Sequence, residues 1–396
     1  MQSLFHHRTT ILWLLVFALY GLFGSPTPDN FGWVEIILAA LLISLTLIAL
    51  PDLMQPHYFS SKPFQSFFLF YGLGIGLLLS SLNGHETHYI VRDLIAFSFL
   101  CLPILFAPLK KQQYFLDISL WGSVFVGLAY AFRFLMEVNP VIFLQGGNPF
   151  ADPHFSYLAN EPLVFFSYLF LIYKAADWYS APKAKLFSAL LCFLLSILPL
   201  LAMAMMQQRA TLLLSALYWV ILWFFILSRS PAKAIMVVIV ISLMLLPLKE
   251  LLIYYADILA TKSRIHGLNM RLAEWQTLAN LLLNTPLAVI VGKGWGAGFI
   301  SPAVGNVSVQ FTHNLFSMYW LKLGFVGMAL LGLYLSALFY KAQNILLKKP
   351  VYACTMLMPL FIGCFVYANF KSLGFGILLL MMILHKIQKN EPETAS

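Results

Sequence analysis

The chain has 396 residues, 61% hydrophobic and only 10% charged, with a mean hydropathy of +0.85 and a formal charge of +9. Soluble domains are about half apolar and about a quarter charged, so this composition excludes a set of water-soluble cores and makes lipid the solvent for much of the surface. In a soluble protein the basic balance would suggest nucleic acid. Here the cations lie between apolar runs, where they report membrane orientation instead.

Apolar runs near the length of a membrane span fall at residues 9–24, 32–50, 64–82, 93–108, 114–136, 155–173, 184–205, 209–228, 232–254, 314–340, 351–369 and 372–386. They predict an all-α integral membrane protein of about 12 transmembrane helices, because helices satisfy their own backbone in lipid. The alternating ten-residue pattern of a barrel is absent. His6, His7 and Arg8 before the first run resemble a signal peptide, but no small-residue cleavage site follows, so the run is read as a retained helix. With the N-terminus inside, fourteen Lys and Arg between Arg8 and Lys389 fall in cytoplasmic segments. Four (Arg92, Arg133, Arg209 and Lys371) fall in the short outer ones. That bias predicts both termini in the cytoplasm. Cys101, Cys192, Cys354 and Cys364 lie in apolar runs without a C-x-x-C pair and read as small packing residues.

The spans divide the chain into a bundle of about nine helices over 1–254, a large outer loop over 255–313, and about three further spans over 314–396. A connection this long in a compact bundle is usually functional or disordered, and this one is not low-complexity. The stretch NMRLAEWQTLANLLLN predicts a helix with Asn269 as its N-cap and Pro286 beyond its end. Arg271, Trp275, Leu278 and Leu282 share one face of it.

Three outer residues carry usable chemistry. Arg209 opens the eighth span, Arg271 opens the loop helix, and His313 stands where the loop re-enters the membrane. A guanidinium suits a phosphate, being always charged and donating as a planar fork. The bland alternative is snorkelling to lipid headgroups, against which stands their grouping around one loop. The GKGWGAG run departs from a nucleotide-binding P-loop and fits tight turns that let backbone approach closely. The HETH run at 85–88 lacks the spacing of a zinc helix, there is no D-x-D, and no outer carboxylate pair suggests hydrolysis. Asp152, His154, Asn160 and Glu161 lie in an outer segment that either touches a sugar or only connects spans. Trp275, one turn from Arg271, either stacks on the guanidinium or a sugar face, or simply packs. Arg264, Lys293 and Arg92 are further outer cations with no place in a motif.

One pattern runs Arg271-x-x-x-Trp275, then Gly292, Gly294, Gly296 and Gly298, then His313-Asn314, then Gly324-x-x-Gly327, with Arg209 upstream. It resembles the O-antigen ligase and O-antigen polymerase family of bacterial enzymes that transfer glycans from polyprenyl diphosphate carriers. The likeness is detailed over residues 200–340 and extends to the whole chain through span count and the large outer loop. It implies a GT-C-like glycosyltransferase architecture in the inner membrane, with the active site facing the periplasm. A ligase would pass a polysaccharide from undecaprenyl diphosphate to lipid A-core; a polymerase would extend carrier-linked repeats. Neither uses a cofactor or a metal. On this likeness His313 is the base, Arg209 and Arg271 are both catalytic and substrate-binding, and Trp275 and Asn314 bind substrate. A multi-span transporter or glycan-lipid flippase is the competing class. It would place charge near the bilayer midplane, whereas the middles of these spans read as nearly uncharged.

Overall fold

A computed structural model describes residues 2–26, 32–111, 114–138, 156–183, 185–250 and 269–384, with five positions between 253 and 260. Asp152, His154 and Arg264 lie outside the described residues. Each apolar run carries a helix. In chain order these are α1 Gln2–Leu22, α2 Trp33–Leu53, α3 Pro63–Leu82, α4 Thr87–Leu100, α5 Phe115–Glu137 and α6 Pro162–Ser180. Then come α7 Leu186–Met205, α8 Arg209–Arg229, α9 Pro231–Leu245, two loop helices α10 Asn269–Leu283 and α11 Pro286–Val291, and finally α12 Leu315–Lys348, α13 Pro350–Phe365 and α14 Leu373–Leu384. Six of these (α2, α3, α5, α7, α8 and α12) are long and apolar enough to cross a membrane. Shorter apolar helices, α13 and α14 among them, complete the bundle.

Proline sets many of the helix starts. Pro63, Pro162, Pro231, Pro286 and Pro350 each stand in the first turn, where the missing N–H costs nothing and φ is already helical. The most enclosed helices are α6, buried along one unbroken run from Pro162 to Ile172, and α14, buried almost throughout. Because α14 is wrapped by protein, its 12 residues need not match the bilayer thickness. The outer helices present bare apolar side chains instead, Phe187 at 81% and Leu213 at 72% exposure, as a surface solvated by lipid requires.

The described part of the loop, from Asn269 onward, has regular structure. After α11 the chain turns through Gly292–Gly298 into a two-stranded antiparallel hairpin, β1 Phe299–Ser301 and β2 Val307–Val309, in which Ile300 pairs with Ser308. Leu278, Leu282, Ala288, Ala297 and Phe299 form an apolar cluster with Leu321 of α12. The glycine run is bound into the membrane bundle. Gly292, Gly294 and Gly296 all adopt positive φ, and a Cβ on Gly294 would lie 2.4 Å from the Ser80 nitrogen, so only glycine fits. Trp295, buried, donates its indole N–H to Gly72 O at 2.8 Å. Gly296 N–H donates to Asp93 Oδ2 at 2.6 Å. Lys322 Nζ donates to the same Asp93 oxygen and to Ala297 O, each at 2.5 Å.

Lys322 and Asp93 form an ion pair near the ends of two apolar runs rather than at their middles, with both side chains wholly buried, on α12 and α4. Beside it α12 is broken. Gly324 has φ +68°, and a Cβ there would lie 2.2 Å from Ile290 O. The helix therefore runs as two pieces, with α11 tucked against the break.

Candidate functional site

The outer turns are stitched together before any chemistry is considered. Gln207 takes φ +55°, and Gln208 Nε2 donates to Ala159 O at 2.8 Å and Asn160 Oδ1 at 3.0 Å. Asn369 Nδ2 donates to Asn160 O at 2.8 Å. These bonds hold Arg209, the first residue of α8, and Tyr367, which follows α13, against a common joint. Asn160 thus ties the two turns together and also lines the cavity beside them.

Arg271, on the first turn of α10, lies within the electrostatic reach of Arg209, Tyr367 and Glu274. Burial lowers its pKa; Tyr367 and Glu274 oppose that shift, and Arg209 adds to it. Burial likewise raises the Tyr367 hydroxyl, against the pull of both arginines. Two guanidinium groups sharing a partly dehydrated site repel, and an anion of two charges would relieve that repulsion.

His313 sits opposite. Its Nδ1 lies 3.2 Å and 3.3 Å from the two oxygens of Glu274, and its backbone N–H donates to Glu274 Oε2 at 3.3 Å. Glu274 is buried, and Ser301 Oγ on β1 donates to its Oε1 at 2.9 Å. Burial pushes the carboxyl pKa up, but the His313 ring and backbone and the Ser301 hydroxyl outweigh it, leaving the pKa below the usual range. With Nδ1 held by a carboxylate, Nε2 is the nitrogen left for chemistry, the arrangement that orients an imidazole as a base.

A polar cavity of about 330 Å³ opens beside His313, which lines it. His313, Tyr367, Arg92, Lys371, Asn160 and Gln310 are among the residues that line it. Of the three residues singled out from sequence, His313 lines this cavity; Arg209 and Arg271 are not among its lining residues and connect to it electrostatically, through Tyr367 and Glu274. Sequence reasoning missed Glu274, whose signal was its position three residues after Arg271 on the same helical face, and it missed Tyr367 and Lys371.

The remaining sequence-derived site residues have structural work. Trp275 lies against Trp320, ring centroids 5.9 Å apart, so of its alternatives packing is the one with a visible partner. Asn314 is the N-cap of α12: its Oδ1 accepts from Phe316 N–H at 2.8 Å and Ser317 N–H at 3.4 Å. His85, in the HETH run, places Nε2 2.8 Å from Lys293 O and so braces the glycine loop. No protein-family model and no curated protein matches this chain.

Proposed function

We propose that this protein is an O-antigen ligase, transferring a polysaccharide from undecaprenyl diphosphate to lipid A-core without metal or cofactor. The observation that carries the reading is the Glu274–His313 pair, whose His313 lines a polar cavity, with Arg271 coupled electrostatically to Glu274, Tyr367 and Arg209. The proposal includes twelve spans in a GT-C-like arrangement, both termini in the cytoplasm and the cavity open to the periplasm of an inner membrane.

The residues divide the reaction. His313 Nε2 accepts the proton of the acceptor hydroxyl as its oxygen bonds to the anomeric carbon. The bond from that carbon to the diphosphate oxygen breaks, and its electron pair leaves with the diphosphate. Glu274 steadies the imidazolium that forms. Arg271 and Arg209 stabilise the charge gathering on the leaving group, an effect that grows in a water-poor site. Attack opposite the leaving group inverts the anomeric centre.

The test is deletion in the native host, followed by gel analysis of lipopolysaccharide and of the carrier-linked pool. Loss of long polymer from lipid A-core, with polymer accumulating on the carrier, is the expected result. Single repeats on lipid A-core would instead identify the polymerase. Both pools unchanged would sink the proposal. A transporter has one observation in its favour, the buried Lys322–Asp93 pair beside the break at Gly324. That pair is committed to the glycine loop through Gly296 and Ala297, so enzymatic transfer remains the better reading.

A further inference from the structure

A second, larger cavity of about 490 Å³ adjoins the polar one and differs from it in kind. It is a groove between α2 and α4. Leu38 and Leu42 form one wall, Ile95 and Phe99 the other, and its lining is overwhelmingly apolar. On α2 the lining runs from Glu35 to Thr46, about 16 Å at the helical rise, or about half of a hydrocarbon core. Ile36 on its flank is 63% exposed, as befits a wall met by lipid.

The mouth of the groove is cationic. Arg92 and Lys371 line both cavities, with Phe311 shared between them. The Arg92 guanidinium lies 5.4 Å and the Lys371 ammonium 4.5 Å from the Phe311 ring centre. Glu35 also lines the groove, but its carboxylate accepts from Gly32 N–H at 3.0 Å and so caps α2. An apolar groove with two cations where it meets the polar cavity fits a long hydrocarbon chain joined to phosphate.

We propose that the α2–α4 groove seats the chain of a polyprenyl diphosphate, with the chain-proximal phosphate between Arg92 and Lys371. The second phosphate and its cargo then point into the polar cavity lined by His313 and Tyr367. This assignment rests on the reading of that cavity as acting on a lipid-linked diphosphate. It gives a role to Arg92, which no motif placed, and to Lys371.

The test uses the full-length protein in neutral-lipid nanodiscs and a fluorescent polyprenyl diphosphate as probe. Ala39→Trp, which fills the groove, and the double variant Arg92→Gln/Lys371→Gln should each weaken binding at least about tenfold. Inorganic diphosphate should not displace the probe. Unaltered binding by Ala39→Trp overturns the proposal. So does full displacement by inorganic diphosphate, which would mark a plain anion site, or by phosphatidylglycerol in the disc, which would mark a site for bulk anionic lipid. If Ala39→Trp fails to fold, a photo-crosslinker at Ile43 should capture the chain, and no capture overturns the assignment. The two proposals fail separately. Groove-dependent binding without any glycan transfer sinks the ligase and polymerase reading and leaves the groove standing; transfer that persists with unaltered binding in Ala39→Trp does the reverse.

Discussion

Lys322 and Asp93 are both fully buried, whereas His313, nine residues earlier in the chain, keeps 31% of its side chain exposed above Glu274. Both are acid–base pairs: the first joins α4 to α12, and the second joins α10 to the residue that stands two before α12. The sealed pair holds two backbone groups of the glycine run and has no room for a substrate. The open pair lines a cavity through His313 and spends only one ring nitrogen on its partner. Burial decides the difference: in a low-dielectric interior an ion pair fixes geometry, while at a wet edge it can exchange protons.

The comparison breaks if the two pairs respond alike to mutation. His313→Ala should lower transfer about 10²–10⁴-fold, the usual worth of a positioned base, and leave the melting temperature in detergent nearly unchanged. Arg271→Ala should lower transfer about 10²–10³-fold. Full activity in either variant at normal protein level would remove it from the chemistry. Asp93→Ala should do the opposite, destabilising the fold by about 3–5 kcal/mol because Lys322 is left buried and unpaired. Replacing both partners together, as Asp93→Leu/Lys322→Met, should restore much of that loss. A double variant no better than Asp93→Ala would show that the bonds to Gly296 and Ala297 matter more than the charge.

Two carboxyls sharpen the contrast through pH. Glu274 has its pKa lowered, so it binds fewer protons folded than unfolded. Its contribution to stability is fully present above about 4.5 and is lost as pH falls through its lower folded value. Glu161, in the turn before α6, is buried against Tyr20, Ser372 and the N–H groups of Gly374 and Leu163, with neither oxygen in a well-aligned bond among the described residues. Burial, outweighing those contacts, raises its pKa to about 8. Its contribution is fully present below 4.5 and declines as pH rises towards about 8. Melting curves should therefore show Glu274→Gln flattening the acid limb and Glu161→Gln flattening the slope between pH 5 and 8. Parallel changes in both variants would reject these assignments.

The helices were legible because each apolar run is a local signal, and His313, Arg271 and Arg209 stand out in the sequence as candidates because their residue types suit phosphate and proton chemistry at a membrane edge. The pairing of Asp93 with Lys322, 229 positions apart, has no local signal at all. Nor did the break at Gly324, since a glycine in an apolar run reads equally well as tight helix packing. Glu274 lies inside the Arg271-x-x-x-Trp275 motif, but its partner His313 comes from the other end of the loop, so local spacing gives it no role. The hairpin 299–309 is only three residues to a strand, too short for alternation to stand out, yet it carries Ser301 to Glu274.

Asn314 gives the smallest effect and the finest distinction. Adjacent to His313, it invites a substrate-binding role, but its side-chain oxygen already accepts from Phe316 and Ser317. Thr312 and Ser317 close the same turn, Ser317 Oγ donating to Thr312 Oγ1 at 2.7 Å. If capping is its work, Asn314→Ala should cost about 0.5–2 kcal/mol of stability, with a modest fall in transfer as His313 loosens. Asn314→Asp and Asn314→Ser, which also cap, should then recover both. If the amide instead binds sugar, neither replacement restores transfer although both restore the melting temperature. The open pair would then include a third chemical group, and the boundary between scaffold and site would move one residue into α12.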